Sequence, residues 1–371
     1  MDAEETSRVI RRRLRTQRLT GAGFARPEDA VGWLGAVQAQ DYGPAKWAVG
    51  ARVRGARDDS VEEAFAAGRI LRTHVLRPTW HFVLPADIRW LLTATAPRVQ
   101  ARCAYRYKQL DLDAATLRRG DAALAEALRG GATLTRAEAS VALTAAGIAV
   151  DGQRLPYLLM HAELEAVICS GPRRGKRHTW ALLEDRAPGG RDLGPEEAMA
   201  ELARRYFTSH GPATVKDFAT WSSLTLAEVR AAVAAAGPAL RLEDRAGVAF
   251  WADAGEATRA PALRSPVVRL VQGYDEYIMG YTETKSVIAP AGRPWSPADR
   301  PLASLVILVD GRIAGYWRRT IKRNEVVIEA GLYEPFGAAQ MAALEAETAR
   351  YGTFLGLPAK VVLAPAVSAG P

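Results

Sequence analysis

Cysteine and histidine are scarce in this chain, and that scarcity closes several routes before any motif is read. The two cysteines, Cys103 and Cys169, stand in unrelated contexts, the thiol usage of a reducing compartment rather than of a disulfide framework. The five histidines, His74, His81, His161, His178 and His210, make no zinc-ligand spacing with them, so no metal is expected. Apolar runs stay far below membrane-spanning length and the start Met-Asp-Ala-Glu-Glu is acidic, so no membrane partner is expected and the expected location is the cytoplasm. Nucleotide signatures are missing too. The stretch from Gly171 to Arg177 is one residue short of a phosphate loop and lacks its Ser or Thr, and Gly21-Ala22-Gly23 lacks the third glycine of a dinucleotide turn. With no Gly-x-Ser-x-Gly elbow either, what remains is a binding protein or an enzyme that works with unusual residues.

What is present is a basic, well-patterned chain. Its 371 residues are 49% hydrophobic, enough for several small domains with a sizeable core. Lys and Arg number 49 against 41 Asp and Glu, a formal charge of +8 that favours a polyanionic partner. Residues 5–20 read as a basic amphipathic helix, either lying on phosphate or packed with a solvated basic face. Pro27, with Glu28 and Asp29, opens a second helix that is expected to run into Gln38-Ala39-Gln40 and stop before Gly43-Pro44. A short helix at 60–68 leads to two strand-like segments, 70–76 and 79–84, and helices followed by a strand pair read as a winged helix.

The same order returns twice. Thr135 and Thr214 are helix N-caps about 80 residues apart, each followed by a second helix and a strand-like tail. In the middle unit the tail is a hairpin whose tip carries Arg173, Arg174, Lys176 and Arg177, as a DNA-contacting wing would. Beyond a linker at 253–261, short β segments near 267–271, 305–309, 312–317 and 325–329 predict a small antiparallel sheet or barrel, closed by a helix at 336–350. Tyr316-Trp317 with Arg318, Arg319, Lys322 and Arg323 forms a candidate hairpin for penetrating a DNA strand pair.

Four stretches carry a resemblance. Gln38-Ala39-Gln40-Asp41-Tyr42, then 72–83 (Arg-Thr-His-Val-Leu-Arg-Pro-Thr-Trp-His-Phe-Val), 275–281 and 309–318 together resemble the AlkZ-like family of tandem winged-helix DNA glycosylases. The resemblance implies an α+β fold: three tandem winged-helix units in a C shape, at 1–120, 121–190 and 191–260, and a C-terminal small antiparallel β-barrel at 261–371. It implies a monomer acting on double-stranded DNA that contains alkylated purines, within the nucleoid and without a cofactor. Gln38 and Gln40 fill the Gln-x-Gln form of the family motif, that of the branch opening interstrand crosslinks, and would be catalytic. Asp41, Tyr42, Arg72, Thr73, His74, Thr79 and His81 would surround the lesion.

The chemistry is compatible with neutral residues. Hydrolysis of an N-glycosidic bond passes through an oxocarbenium-like state. Alkylation at N7 makes the purine cationic, so it leaves without being protonated. The enzyme then needs only to hold a water beside C1′ and to stabilise positive charge, which an amide carbonyl does as a hydrogen-bond acceptor and dipole. A crosslinked nucleotide cannot rotate out of the duplex, so recognition would come from the groove rather than from base flipping. The bland alternatives are that Gln38 and Gln40 cap a helix end and that His74, His81, Trp33, Trp47, Trp80 and Trp90 are core. A non-enzymatic regulator or a protein that sequesters an alkylating drug would share the fold, and release of free base separates them from an enzyme.

Overall fold

Caps written into the sequence start the helices where expected. Thr135 accepts from the Glu138 amide and Glu138 returns a bond to Thr135; Thr214 with Asp217 and Thr225 with Glu228 repeat the device. In the computed structural model, which describes residues 1–257, 264–290 and 305–364, these helices fall into a repeated order. Each copy is a helix, a short extended segment, two helices and a two-stranded hairpin whose second strand pairs with the short segment. The first copy runs through Pro27–Leu34, Val37–Gln38, Tyr42–Gly50, Asp58–Ala66, Leu71–Val75 and Arg77–Val83. The second runs through Ala114–Ala127, Leu134–Thr135, Arg136–Ala145, Arg154–Leu164, Ile168–Arg174 and Arg177–Leu182. The third has Pro195–His210, Val215–Ser222, Leu226–Ala236, Leu240–Arg245 and Val248–Asp253, with the short segment reduced to a bridge between Ala213 and Trp251.

Around Gln38 the structure corrects the expected helix. Gly35, at φ 79°, ends Pro27–Leu34, and Gln38 lies on a strand opposite His81. The next helix then starts at Tyr42 and passes through Gly43-Pro44 instead of stopping before them. A proline in the first turn loses only an N–H that had no helical partner.

The C-terminal sheet is also different from expectation. Val268–Val271, Leu305–Val309, Arg312–Ile321 and Val326–Leu332 are antiparallel neighbours, but Ala359–Leu363 adds to Val326–Leu332 in parallel. Among the described residues this is an open five-stranded mixed sheet, not a closed antiparallel barrel. The cause is Ala338–Leu355, a crossover helix that returns the chain in the same direction and covers one face with Leu344, Tyr351 and Phe354. The expected linker at 253–261 lies partly outside the described residues.

Three cores tie the copies together. Trp90, Leu91 and Val99 of the long helix Ile88–Gln109 share one with Leu158 and Trp180 of the second copy and Tyr206, Phe218 and Trp221 of the third. Trp47 and Phe65 of the first copy pack instead with Trp317, Ile328 and Tyr351 of the C-terminal sheet. The N-terminal helix Ala3–Thr16 lays Val9, Ile10 and Leu14 against Tyr277, Val306 and Ile313. Arg8 stays exposed, but Arg12 and Arg13 are buried. Arg12 forks between Glu243 and Glu256 at 2.6 and 2.7 Å, and Arg13 reaches the Pro212 carbonyl and Thr284, because this face is docked inside the molecule and buried cations need partners.

Candidate active site

Gln38 is buried on its short strand and held from two sides. Its backbone N–H donates to Glu276 Oε1 at 2.9 Å, and its carbonyl accepts from Gln272 Nε2 at 3.3 Å. Its side-chain Oε1 accepts from Arg77 Nη2 at 3.0 Å. Arg77 also donates to the Trp221 carbonyl and to His81 Nε2, the latter at 2.9 Å. Carbonyls only accept and guanidinium only donates, so the His81 proton sits on Nδ1 and points at the Thr79 carbonyl, 2.9 Å away. Burial and the adjacent Arg77 push the His81 imidazole down to about 3, leaving it neutral.

Glu276 is fully buried beneath this strand. Burial would raise its carboxyl, but His210 at 3.4 Å, Arg77, and the Trp221 indole N–H at 2.7 Å outweigh it and hold the group at about 2. Its neighbour Asp275 pairs with both Nη atoms of the buried Arg52, at 2.8 and 2.9 Å. Glu276 and Arg77 stand within segments that the sequence singles out, yet no local pattern reveals that they meet at Gln38.

Gln40 lies two residues on and is exposed, its Oε1 accepting from the Trp80 N–H at 3.3 Å. It opens onto a cleft of about 940 Å³ between the first and second copies, lined also by Tyr42, Arg72, Trp80, Arg136, Arg177, His178 and Trp180. Among the described residues no carboxylate lines this cleft. The Arg72 guanidinium stacks 4.2 Å above Trp80 and donates to the Ala39 carbonyl; burial pushes it down to about 10, so it remains a cation at neutral pH. Under the cleft, Glu163 accepts from His74 Nδ1 at 2.5 Å, from Trp180 Nε1 at 2.6 Å and from Trp80 Nε1 at 3.4 Å, fixing both indoles. Burial opposes ionisation of Glu163, but His74 and Trp180 keep its carboxyl below the usual range. Trp80, expected in the core, is therefore a wall of the cleft, while Trp47 and Trp90 are core and Trp33 is half-buried beside Phe24.

The remaining predicted residues divide between cleft and interior. Tyr42 donates to Glu62 at 3.2 Å and meets the His178 ring edge-on at 4.8 Å. Thr73 and His81 are sealed inside, and the buried Thr73 and Thr79 hydroxyls have no hydrogen-bond partner among the described residues. Asp41 is exposed at the start of the Tyr42–Gly50 helix.

On the wing, Arg173 turns inward, 4.8 Å over Tyr42 and 3.0 Å from Glu62, and Arg174 pairs with Glu138. Lys176 and Arg177 are exposed. On the C-terminal hairpin, Arg318, Lys322 and Arg323 are exposed, whereas Trp317 is core and hydrogen-bonded to the Val271 carbonyl, so it is no DNA anchor. Arg319 bonds the Tyr351 hydroxyl and lies 3.1 Å from where a Cβ on Gly43 would stand, which brings the hairpin beside the first turn of the helix that follows Gln40.

Comparison with known proteins finds relatives that match nearly the whole chain. A curated protein of Streptomyces sahachiroi described as an interstrand DNA cross-link repair glycosylase is 27% identical over 365 residues, covering 90% of this chain and 93% of its own length. The solved structure of Streptomyces sahachiroi DNA glycosylase AlkZ superposes with a TM-score of 0.79 at 24% identity, over 96% of this chain and 99% of that one, so the fold is shared throughout. The family model described as DNA glycosylase AlkZ-like matches residues 31–354, from before the Gln-x-Gln strand to the end of the crossover helix. The chain belongs to the AlkZ-like family of DNA glycosylases.

Proposed function

We propose that this protein excises bulky, cationic N7-alkylated purines from double-stranded DNA, unhooking interstrand crosslinks made by a DNA-alkylating natural product. The observation that carries this reading is the placement of the Gln-x-Gln strand: Gln38 is locked as a neutral amide, and Gln40 stands at the edge of a large aromatic and cationic cleft that no carboxylate lines among the described residues. A small alkyl group needs no such space. A cleft near 940 Å³ falls in the size range of drug-sized ligands, and Trp80, Trp180 and Tyr42 offer faces for a planar adduct.

In this mechanism Gln38 Oε1, with one lone pair on Arg77, uses the other to hold the attacking water beside C1′. Gln40 faces the sugar and the departing base. The C1′–N9 bond breaks and the cationic alkylpurine leaves as a neutral base, so no acid is required; the held water closes on C1′ and releases its proton to solvent, while an amide cannot protonate an unmodified purine and so leaves it in place. The reaction is monofunctional hydrolysis by a monomer in the cytoplasm, at the nucleoid. The threefold order of elements supports tandem winged helices, at about 1–120, 121–190 and 191–260, wrapping the duplex as a C. Lys176 and Arg177 on the wing and Arg318, Lys322 and Arg323 on the hairpin would hold its phosphates.

The test is release of free base, followed by mass spectrometry, from three duplexes: one with N7-methylguanine, one with a bulky N7-guanine adduct, and one crosslinked through N7. Release from the cationic adducts is expected, fastest for the bulky ones. Absence of release from all three would overturn the reading.

A further inference from the structure

We infer that Arg77 and Glu276 are positioning residues that fix Gln38 for excision, and that Trp221 brings the third repeat copy into the same device; the inference rests on Gln38 holding the water. Four contacts form a closed ring. Glu276 Oε1 accepts from the Gln38 N–H at 2.9 Å, and Glu276 Oε2 accepts from Trp221 Nε1 at 2.7 Å. The Trp221 carbonyl accepts from Arg77 Nη1, and Arg77 Nη2 donates to Gln38 Oε1 at 3.0 Å.

Each link removes a freedom that catalysis cannot tolerate. The terminal torsion of glutamine is broad and nearly twofold, so an unheld amide presents oxygen and nitrogen about equally. A guanidinium has no acceptor, so the atom facing Arg77 must be the oxygen, and the amide flip is excluded by chemistry. The backbone bond to Glu276 fixes the strand on which the side chain stands. Arg77 is itself aimed from both sides. It follows Leu76, held at φ 64°, a conformation rare and costly for a bulky residue, and it is backed by neutral His81. Such strain persists only where the surroundings enforce it, and here the Leu76 N–H is tied to Thr95 Oγ1 at 3.2 Å.

The ring spans distant segments: Gln38 and Arg77 from the first copy, Trp221 from the third, and Glu276 from the short helix Glu276–Met279 that follows the first strand of the C-terminal sheet. Docking of the third copy therefore sets the orientation of an amide in the first.

Single-turnover excision at saturating protein is measured on the N7-alkylguanine duplex that releases base fastest, for Arg77→Lys, Glu276→Gln, Gln38→Ala and the double variant Gln38→Ala/Arg77→Lys, with duplex affinity and thermal midpoint alongside. Lysine keeps the charge but cannot bridge the same acceptors, and a misplaced reacting group costs on the order of a hundredfold. Arg77→Lys and Glu276→Gln are expected to slow the rate about that much with duplex affinity nearly unchanged, and the double variant to be no slower than Gln38→Ala. A slow Gln38→Ala beside a wild-type rate for Arg77→Lys would sink the inference alone. A double variant markedly slower than Gln38→Ala would do so too, because Arg77 would then act by another path. A wild-type rate for Gln38→Ala would remove the water-holding reading itself. Hydrogen exchange of the Gln38 amide in the unsubstituted protein gives a reading that needs no variant: core-like protection is expected, and the rate of an exposed strand end would overturn the ring.

Discussion

At the scale of single residues, the two glutamines have different surroundings and should fail differently. Gln38→Ala and Gln40→Ala are each expected to cut excision by one to several orders of magnitude, on the order of a few kcal/mol, with little change in duplex affinity. Gln38→Ala should also release Arg77 and lower the thermal midpoint, whereas Gln40→Ala, at an exposed position, should leave it unchanged. Gln40→Asp should keep activity and extend it toward smaller alkylpurines, since a carboxylate at the cleft edge attracts a cationic base without requiring a bulky adduct. Relative rates on N7-methylguanine and a bulky adduct decide this. His81 gives a pH signature. Its folded value is about 3 against about 6.5 when unfolded, so the unfolded chain takes up a proton that the folded protein refuses. Stability is then complete above pH 6.5 and falls toward pH 3, by about 1.4 kcal/mol per pH unit from this group. His81→Gln, which retains an acceptor for Arg77, should flatten that limb in thermal melts. The Gln-x-Gln pair was legible as a motif. Arg77 and Glu276 were not, because a ring closed by residues 38, 77, 221 and 276 leaves no local pattern.

At the scale of elements, the two basic hairpins were placed correctly by turn chemistry, but the duty of each cation depends on its neighbours. Arg173 and Arg174 are committed to Glu62, Tyr42 and Glu138. Lys176→Gln with Arg177→Gln should therefore reduce the slope of log K against log salt by about two units, while Arg173→Gln and Arg174→Gln change it less. Loss at this wing should be rescued by more protein. Replacing Arg318, Arg319, Lys322 and Arg323 on the C-terminal hairpin should lower excision even at saturating protein, because Arg319 rests against the first turn of the helix that follows Gln40. Single-turnover rates across enzyme concentration separate the two, and equal rescue of both would detach the hairpin from the site. The motif helix was misread for an understandable reason: its apolar spacing continues past Leu34, and only the pairing of Gln38 with His81 makes the segment a strand.

At the scale of the molecule, the copies are fastened by shared cores and by buried ions that cross long distances. Arg12 links the N-terminal helix to residues 243 and 256, and Arg12→Ala, which leaves two carboxylates short of a partner, should cost about 3 kcal/mol in denaturant unfolding. The sequence alone settled what depends on neighbours along the chain: helix caps at Thr135 and Thr214, hairpins with basic tips, the threefold order, and the family, carried by Gln38-Ala39-Gln40 and three further stretches. Only the tertiary structure decided what depends on segments far apart. It ended the barrel reading, because a crossover helix returns Ala359–Leu363 in parallel. It took Arg12 and Arg13 inside, and it brought Glu276 and Trp221 to Gln38. Local hydrogen bonds and side-chain periodicity are short-ranged and so can be read from sequence, whereas the partner of a buried charge is fixed by which surfaces dock, and docking is a property of the whole chain.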